Sequence, residues 1–537
     1  MKLKIFFLTM VFAGVITSCK DQLDVKNPNE PTASTLLTEK GITKFALAGI
    51  YINGFHDLKF YDGVIGYFWG QPFHEIMGDV IGEEAANEYI NQVGAAEKVT
   101  LDNGTVVPNP GSPSHQPALL RAINLNANQG NNPGFYEWGY MYALNHSANF
   151  ILANVDAITF SGDQATKVGV LKAWSYWWKG YAYSRIASFY YAGLIIDDPL
   201  VTNGDYKSIA DMLAEAENNF KKCETALGGL TVNSDYTATL GAIIPDFCQV
   251  GKGGVMDPAM WVRNINTLRA RNLLVNNPVA TAPWDQILTL TTNGIKASDL
   301  VFTGRSNGTA DWLSPVTGTV AARATGPAAG YRPSERLIQD FQPGDERLAN
   351  NFSLLPSVWI GNSDRGNIFN TRWQLLDGGK GMAGVLVYSD RSVGGQELYI
   401  AGSWEENQLM MAEANMNKGN IDTGINQINA IRTAQGSTVA SPAGLNLTAA
   451  TAQLRSERRV ALAFRGLSFY DARRWGVIFP KASGGGRTGA IVVDNSGTVN
   501  TNATIDYQFL DYWDVPDNEI AYNPATPGSA STKNPNN

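Results

Sequence analysis

The side chains that ordinarily carry chemistry are few in this sequence, and their spacing works against it. Histidine occurs at His56, His74, His115 and His146, with no pair at i,i+4. His74-Glu75 opens like the zinc-binding His-Glu-x-x-His helix, but Gly78 stands where the second ligand is required. The cysteines, Cys19, Cys223 and Cys248, form no Cys-x-x-Cys pair, so no metal site is expected. Gly304-Arg305-Ser306-Asn307-Gly308 spells the Gly-x-Ser-x-Gly of a nucleophile elbow. That elbow needs a helix after the serine and a histidine later in the chain. Here the next residues, to Pro315, are turn-like, and every histidine precedes Ser306. Gly379 to Gly384 and Gly484 to Gly489 both spell Gly-x-Gly-x-x-Gly, whose dinucleotide-binding form must open a helix. Val385–Tyr388 and Ala490–Val493 follow instead and read as strands, so glycine turns are expected and no nucleotide cofactor. Glu83-Glu84 and Glu405-Glu406 are adjacent carboxylates. Sequence neighbours on a helix do not face each other, so neither reads as the ~5–9.5 Å dyad of a glycoside hydrolase.

Flat, stackable surface is the resource the chain has in quantity. It carries 13 Trp, 21 Tyr and 22 Phe in 537 residues. Sugars expose C–H faces that lie against aromatic rings, and hydroxyls that pair with Asn, Asp, Gln or Arg. Binding of that kind needs no tuned acid or base. Lys and Arg total 41 against 49 Asp and Glu, a net charge of −8, which argues against nucleic acid, whose binders need a basic footprint. With 44% hydrophobic and 17% charged residues the chain is globular, not disordered.

These residues must be positioned by helices for the most part. Helical spacing of apolar residues runs over Glu39–Gly54, Phe135–Ile158, Asp163–Tyr191, Asp205–Leu227 and Ala259–Asn276. The third of these, with Trp174, Trp177, Trp178, Tyr181 and Phe189, is apolar nearly all round and is predicted to be buried between neighbours. Residues 96–116 read as a loop. From Asn277 to about Gly395 the periodicity fades, and loops and short strands are expected. Helices return over Trp404–Lys418 and Thr423–Ala434, a pair of roughly tetratricopeptide length, ~34 residues. Thr448–Phe464 follows, with Thr448 as N-cap, and then Leu467–Trp475. The tail reads as loop apart from Ala490–Val493. Helical-spacing tryptophans are expected in the core, and loop-borne ones on the surface.

The N-terminus reads as an address. Lys2 and Lys4 precede an apolar stretch, Ile5–Ile16, too short for a membrane span of ~20 residues. Ile16-Thr17-Ser18-Cys19 then resembles a bacterial lipobox, which implies acylation of Cys19 and a lipid anchor. Lys20–Thr32 is a polar tether. Cys223 and Cys248 are left as either a disulfide or two separate buried thiols.

Five stretches, in order, resemble the SusD/RagB family of Bacteroidetes surface lipoproteins. Leu454-Arg-Ser-Glu-Arg-Arg-Val-Ala-Leu-Ala-Phe464-Arg-Gly466-Leu-Ser-Phe-Tyr-Asp471-Ala-Arg-Arg-Trp475-Gly476 is similar to the family hallmark. Trp404 to Gly419 with its Ala412-Glu413-Ala414, Trp138…Tyr142…Asn149, Lys179-Gly-Tyr-Ala-Tyr183 and Trp513-Asp-Val-Pro516…Glu519…Asn523-Pro524 resemble its other anchors. Ala461 and Arg465 stand where the family usually has Glu, and Ser468 where it often has Arg. Arg465 is therefore expected to reach Asp471 or another acid, in a charged knot that fixes helix packing.

The resemblance implies a mainly α SusD-like fold with tetratricopeptide-like helix pairs and a loop-rich sub-region containing short strands. Its parts would be a signal peptide (1–18), a tether (19–35), an N-terminal helical part (36–276), a loop-rich insertion (277–395) and a C-terminal helical part with tail (396–537). It also implies an outer-membrane, cell-surface protein. Such a protein captures oligo- or polysaccharide and delivers it to a SusC-like TonB-dependent transporter, without cofactor, metal or bond cleavage. A peptide-capturing relative is the alternative, and a secreted glycoside hydrolase is third. By the same resemblance, ligand would be held on Phe55–Asn91 and on roughly Trp284–Trp373. The residues named for it are Tyr67, Trp69, Asp79, Asn87, Trp284, Arg305, Trp312, Tyr331 and Trp359. Asp79 reads equally as an N-cap or a buried turn residue.

Overall fold

The computed structural model describes residues 33–52, 59–61, 64–65, 70–83, 92–128, 132–304, 331–361, 366–376 and 397–536. Its helices are α1 (Glu39–Leu47), α2 (Gly70–Met77), α3 (Gln116–Ile123), α4 (Pro133–Asn154), α5 (Gln164–Phe189), α6 (Ile209–Gly228), α7 (Ser234–Ile243) and α8 (Pro258–Val275). They continue with α9 (Trp284–Thr292), α10 (Glu335–Gln339), α11 (Glu346–Asn351), α12 (Trp404–Asn417), α13 (Ile421–Ala434), α14 (Leu447–Ala461) and α15 (Ser468–Arg474). Most start where a short polar side chain can take an orphan N–H of the first turn. Asp163 accepts from Thr166 before α5, Asp257 from Met260 before α8, and Ser403 from Glu406 before α12. Ser208 and Asp211 form a reciprocal capping box at α6.

Helices close in sequence pack together: α4 on α5, α5 on α6, α8 on α9 and α12 on α13. α5 is buried along most of its length, as its apolar circumference predicts. Trp174, Trp177 and Trp261 all meet the Phe302 ring edge-on, at 5.2, 4.7 and 5.5 Å between centroids. Contacts of this geometry contribute roughly 0.5–1.5 kcal/mol each beyond area burial. A second, smaller core of Ala270, Leu274, Ile287, Met410 and Ala414 lies between α8, α9 and α12.

The strands are short: β1 (Ile81–Glu83), β2 (Lys98–Thr100), β3 (Val106–Pro108), β4 (Tyr331–Pro333), β5 (Phe352–Trp359), β6 (Thr371–Leu375), β7 (Arg487–Val493) and β8 (Val499–Asp506). Four of them make an antiparallel sheet in the order β7-β8-β2-β3, with Ile505 opposite Val99 and Val99 opposite Val107. Asp102 pins the register by accepting from the Thr501 and Asn502 amides at 2.8 and 2.9 Å. β1 pairs with β4, and β5 with β6.

This sheet corrects two sequence expectations. Residues 96–116 contain β2 and β3 instead of a loop, and the tail adds β8 to the expected Ala490–Val493 strand, which lies within β7. The three-residue strands β2 and β3 show no readable alternation, and β2 finds β8 some four hundred positions away. Other boundaries also move. α1 ends at Leu47 and passes into a π-turn, Ala48–Ile52, while Gly54 lies outside the described residues. α14 begins at Leu447, because Asn446, not Thr448, caps it. α7 was not expected. Trp284 opens helix α9 instead of sitting on a loop. Cys223 and Cys248 are both buried thiols with no disulfide between them. Among the described residues, no helix is long and apolar enough to cross a membrane.

Candidate functional site

The signature residues build the frame from which the candidate site hangs. Glu413 takes both Arg474 Nη atoms at 2.6 and 2.7 Å. Arg474 and Arg458 share Asp471, each at 2.8 Å. Glu457 is held between Arg347 at 2.6 Å and Arg432 at 2.7 Å. Arg465 reaches Glu405 at 3.0 Å and lies over the Tyr399 ring at 4.3 Å. Asp471 is thus occupied by other arginines, and Arg465 finds the other acid. These pairs cross α12, α13, α14 and α15, and they lock the helix packing.

Arg459 extends the frame to α2. Its Nη atoms donate to the Gly78 and Asp79 carbonyls at 2.5 and 2.7 Å, and its Nε to Asp340. Gly78 explains the missing zinc ligand. A Cβ there would meet Ser468 Oγ at 2.0 Å, because α2 ends against the start of α15. His74 instead lies buried, 2.7 Å from Glu137, whose other oxygen takes Arg185 Nε at 2.6 Å. Burial works against the Glu137 charge, but Arg185 and His74 hold its pKa down to about 2. Burial depresses the His74 pKa despite Glu137. Among the described residues, no group of three or more His, Cys, Asp or Glu is placed to hold a metal ion.

Asp79 sits on the turn after α2 with φ 56°, a left-handed value that Asp tolerates. It is 3% exposed. Arg336 clamps it at 2.6 and 2.9 Å, and Tyr507 Oη donates to it at 2.5 Å. Burial raises its pKa, but Arg336, Arg487 and Arg459 outweigh that and hold it below the usual range. Its role is to fix a turn. Glu75, next to His74, accepts from the Phe464 and Leu467 amides, both at 3.1 Å, and burial pushes its pKa up.

From this turn β1 runs out beside β4, with Gly82 opposite Arg332 and Glu83 opposite Tyr331. Arg332 lies over the Trp359 ring, 5.1 Å from its centroid, at the end of β5. The β5–β6 hairpin is anchored at two points. Glu335 takes the Arg372 amide and Nη2, both at 2.8 Å. Asn370 accepts from Gly361 N at 2.9 Å and donates to Val493 O at 3.0 Å, which ties the hairpin to β7. On this rigid base Trp359 and Trp373 lie half-buried against the core, while Leu354 (59%) and Ile360 (38%) are exposed on the same hairpin, a ledge that carries aromatic and apolar residues. A guanidinium over an indole is favourable by cation–π attraction, and it places N–H donors beside an aromatic plane.

Of the sequence-predicted residues, the structure joins Tyr331 and Trp359 through the strand that carries Arg332. Asp79 lies beneath them in the knot. Trp284 lies apart, packed half-buried on the smaller core. Tyr67, Trp69, Asn87, Arg305 and Trp312, with Ser306, the Gly379–Gly384 motif and Cys19, fall outside the described residues. Gly484 and Gly486, both at positive φ, turn the chain into strand β7, not into a helix. Arg332 was missed; its only signal is its place beside Tyr331.

The architecture defines a class: a mainly helical protein whose signature arginines and acids are consumed in packing, and whose loop-rich part presents aromatic surface. Residues 406–529 match the family model of the SusD family. No curated protein matches the sequence. Among solved structures, a SusD-like carbohydrate-binding protein from Bacteroides fragilis NCTC 9343 is 14% identical, with a TM-score of 0.56 over 91% of this chain and 99% of that one. A structure with a xylogluco-oligosaccharide is 15% identical, with a TM-score of 0.54 over 92% and 99%. Surface glycan-binding protein A from Bacteroides thetaiotaomicron is 14% identical, with a TM-score of 0.53 over 91% and 98%. The C-terminal part thus carries the SusD family match, and the mainly α fold of the chain is the SusD-like one.

Proposed function

We propose that this chain is a cell-surface glycan-binding lipoprotein that captures oligo- or polysaccharide and passes it to a SusC-like TonB-dependent transporter. The observation that carries the reading is half-buried Trp359, an aromatic plane held under the Arg332 guanidinium on a scaffold locked from below. The described carboxylates around it support binding over cleavage. Asp79, Glu335 and Glu75 are each bound by arginines or backbone amides. Fold relatives include a carbohydrate-binding protein and a structure with a xylogluco-oligosaccharide. Tyr67, Trp69, Asn87, Arg305, Trp312 and Tyr331 would complete the surface, Asp79 would position it through Arg336, and Trp284 would add an outlying plate. Cys19 would carry the lipid anchor that holds the protein at the outer membrane.

The test is a glycan panel offered to the purified protein, with hydrolysis products assayed in the same wells. Binding without products supports capture and identifies the sugar class. Products would overturn the non-enzymatic reading. Peptide binding without glycan binding would move the assignment to the peptide-capturing alternative.

A further inference from the structure

A cleft of about 400 Å³ opens between the loop after α8 and the end of α15, and its wall includes Arg455, Arg473, Arg474, Trp475, Phe479 and Tyr512. That volume lies within the range of small-ligand sites, ~300–1,000 Å³. The three arginines are employed very differently. Arg474 is consumed by Glu413 and Asp471. Arg473 lies over the Tyr512 ring at 4.0 Å and donates to the carbonyls of Ser188 at 2.8 Å and Val275 at 2.9 Å, at the ends of α5 and α8. A cation there offsets the negative ends of both helices.

Arg455 has no such employment. Among the described residues it makes no ion pair, and its Nε is buried without a hydrogen-bond partner. The acids whose field reaches it, Glu413 and Asp471, already serve Arg474 and Arg458. Its guanidinium lies over the Trp475 ring, 5.2 Å from the centroid, and Trp475 Nε1 also lacks a partner. The one carboxylate on the wall, Asp511, accepts from Asn534 at 2.7 Å and Asn536 at 3.2 Å. What remains is an unmatched guanidinium beside an indole, with Phe479 38% exposed near it.

A guanidinium fork pairs with a carboxylate through two parallel N–H donors. Aromatic rings alongside select a carboxylate carried on a ring with an apolar face. We propose that this cleft is a second sugar subsite, for the uronic-acid unit of an acidic glycan, with Arg455 as the carboxylate ligand. The proposal rests on the reading of the chain as a glycan binder.

The experiment follows tryptophan fluorescence as the purified full chain is titrated with oligogalacturonate, with neutral galactose oligomers, and with inorganic sulfate. It compares wild type, Arg455→Gln, Phe479→Ala and Trp359→Ala, each with its melting temperature. The wild type should prefer the acidic oligomer. Arg455→Gln should weaken acidic-oligomer binding tenfold or more and erase the preference, while Trp359→Ala keeps it. Phe479→Ala, on the exposed rim, should weaken the acidic oligomer severalfold, and it carries the test if Arg455→Gln melts early. Equal affinity for acidic and neutral oligomers, a preference that survives Arg455→Gln, or no loss in Phe479→Ala would each overturn the subsite while leaving glycan capture standing. Sulfate that binds as tightly as the acidic oligomer would reduce the cleft to an inorganic-anion site and overturn the sugar assignment. Binding of no glycan at all would remove both readings.

Discussion

The C-terminal knot and the β5–β6 ledge use the same residue types to opposite ends. In the knot every acid is matched. Glu457 lies between two guanidiniums, Glu413 is bidentate to Arg474, and Asp471 bridges two arginines, all nearly inaccessible. On the ledge an arginine covers an indole at the surface, and no carboxylate of the knot takes part. The lesson is about reach. A charge spent on a buried partner specifies packing and has nothing left for a ligand. An indole that is only half-buried keeps part of a flat face available.

The largest effect should come from breaking the knot. Glu457→Ala leaves Arg347 and Arg432 buried without their shared carboxylate, which costs about 3–5 kcal/mol for a buried pair. Denaturant unfolding should show it, and a loss under 1 kcal/mol would mean the knot is not what holds α11, α13 and α14 together.

Next comes the acid limb of stability. The folded Glu137 pKa is about 2 against a model-compound value of 4.5. A depressed carboxylate contributes stability that is present above pH 4.5 and lost as pH falls from there toward 2. His74, held below its ordinary 6.5 chiefly by burial, adds a loss of the same sign as pH falls through that value. Glu137→Gln should flatten the fall in melting temperature below pH 4.5. Parallel pH profiles for variant and wild type would remove Glu137 from the account.

On the ledge, Trp359→Ala should weaken glycan binding about fivefold to tenfold, the worth of one stacking contact of ~1–1.5 kcal/mol. Its melting temperature should change far less than that of Glu457→Ala. The reverse ranking would make Trp359 a core residue and dissolve the contrast between the two regions. The smallest effect is a null. Cys223 and Cys248 are separate buried thiols, so reductant should leave the melting curve in place, and a shifted curve would contradict that pairing state.

The long helices were readable in advance because each needs only its own periodicity and caps, whereas short α7 and α9 were not. Asp163, Asp257 and Ser403 all stand where local hydrogen bonding demands them. The resemblance was readable because its anchors are local strings. In space those strings meet one another. Trp138 Nε1 donates to Glu519 at 2.8 Å, and Lys179 binds Asn149 at 2.5 Å. The candidate site was only half legible. Trp359 and Tyr331 stood out as aromatics in a loop-rich stretch, but Arg332 had no pattern of its own, and Asp79 proved to be a foundation instead of a contact. Trp475, placed in the signature helix, gave no hint that a cleft opens beside it.

By itself, then, the sequence determined the long helices, the burial of the Trp174–Trp178 stripe and the SusD-like motifs, since periodicity, capping and short motifs are local properties. Only the tertiary structure decided the β7-β8-β2-β3 sheet, the partner of Arg465, the state of the cysteines and the isolation of Arg455. Each of those depends on which side chains arrive together from distant parts of the chain, and close-packing and charge matching are settled only when they do.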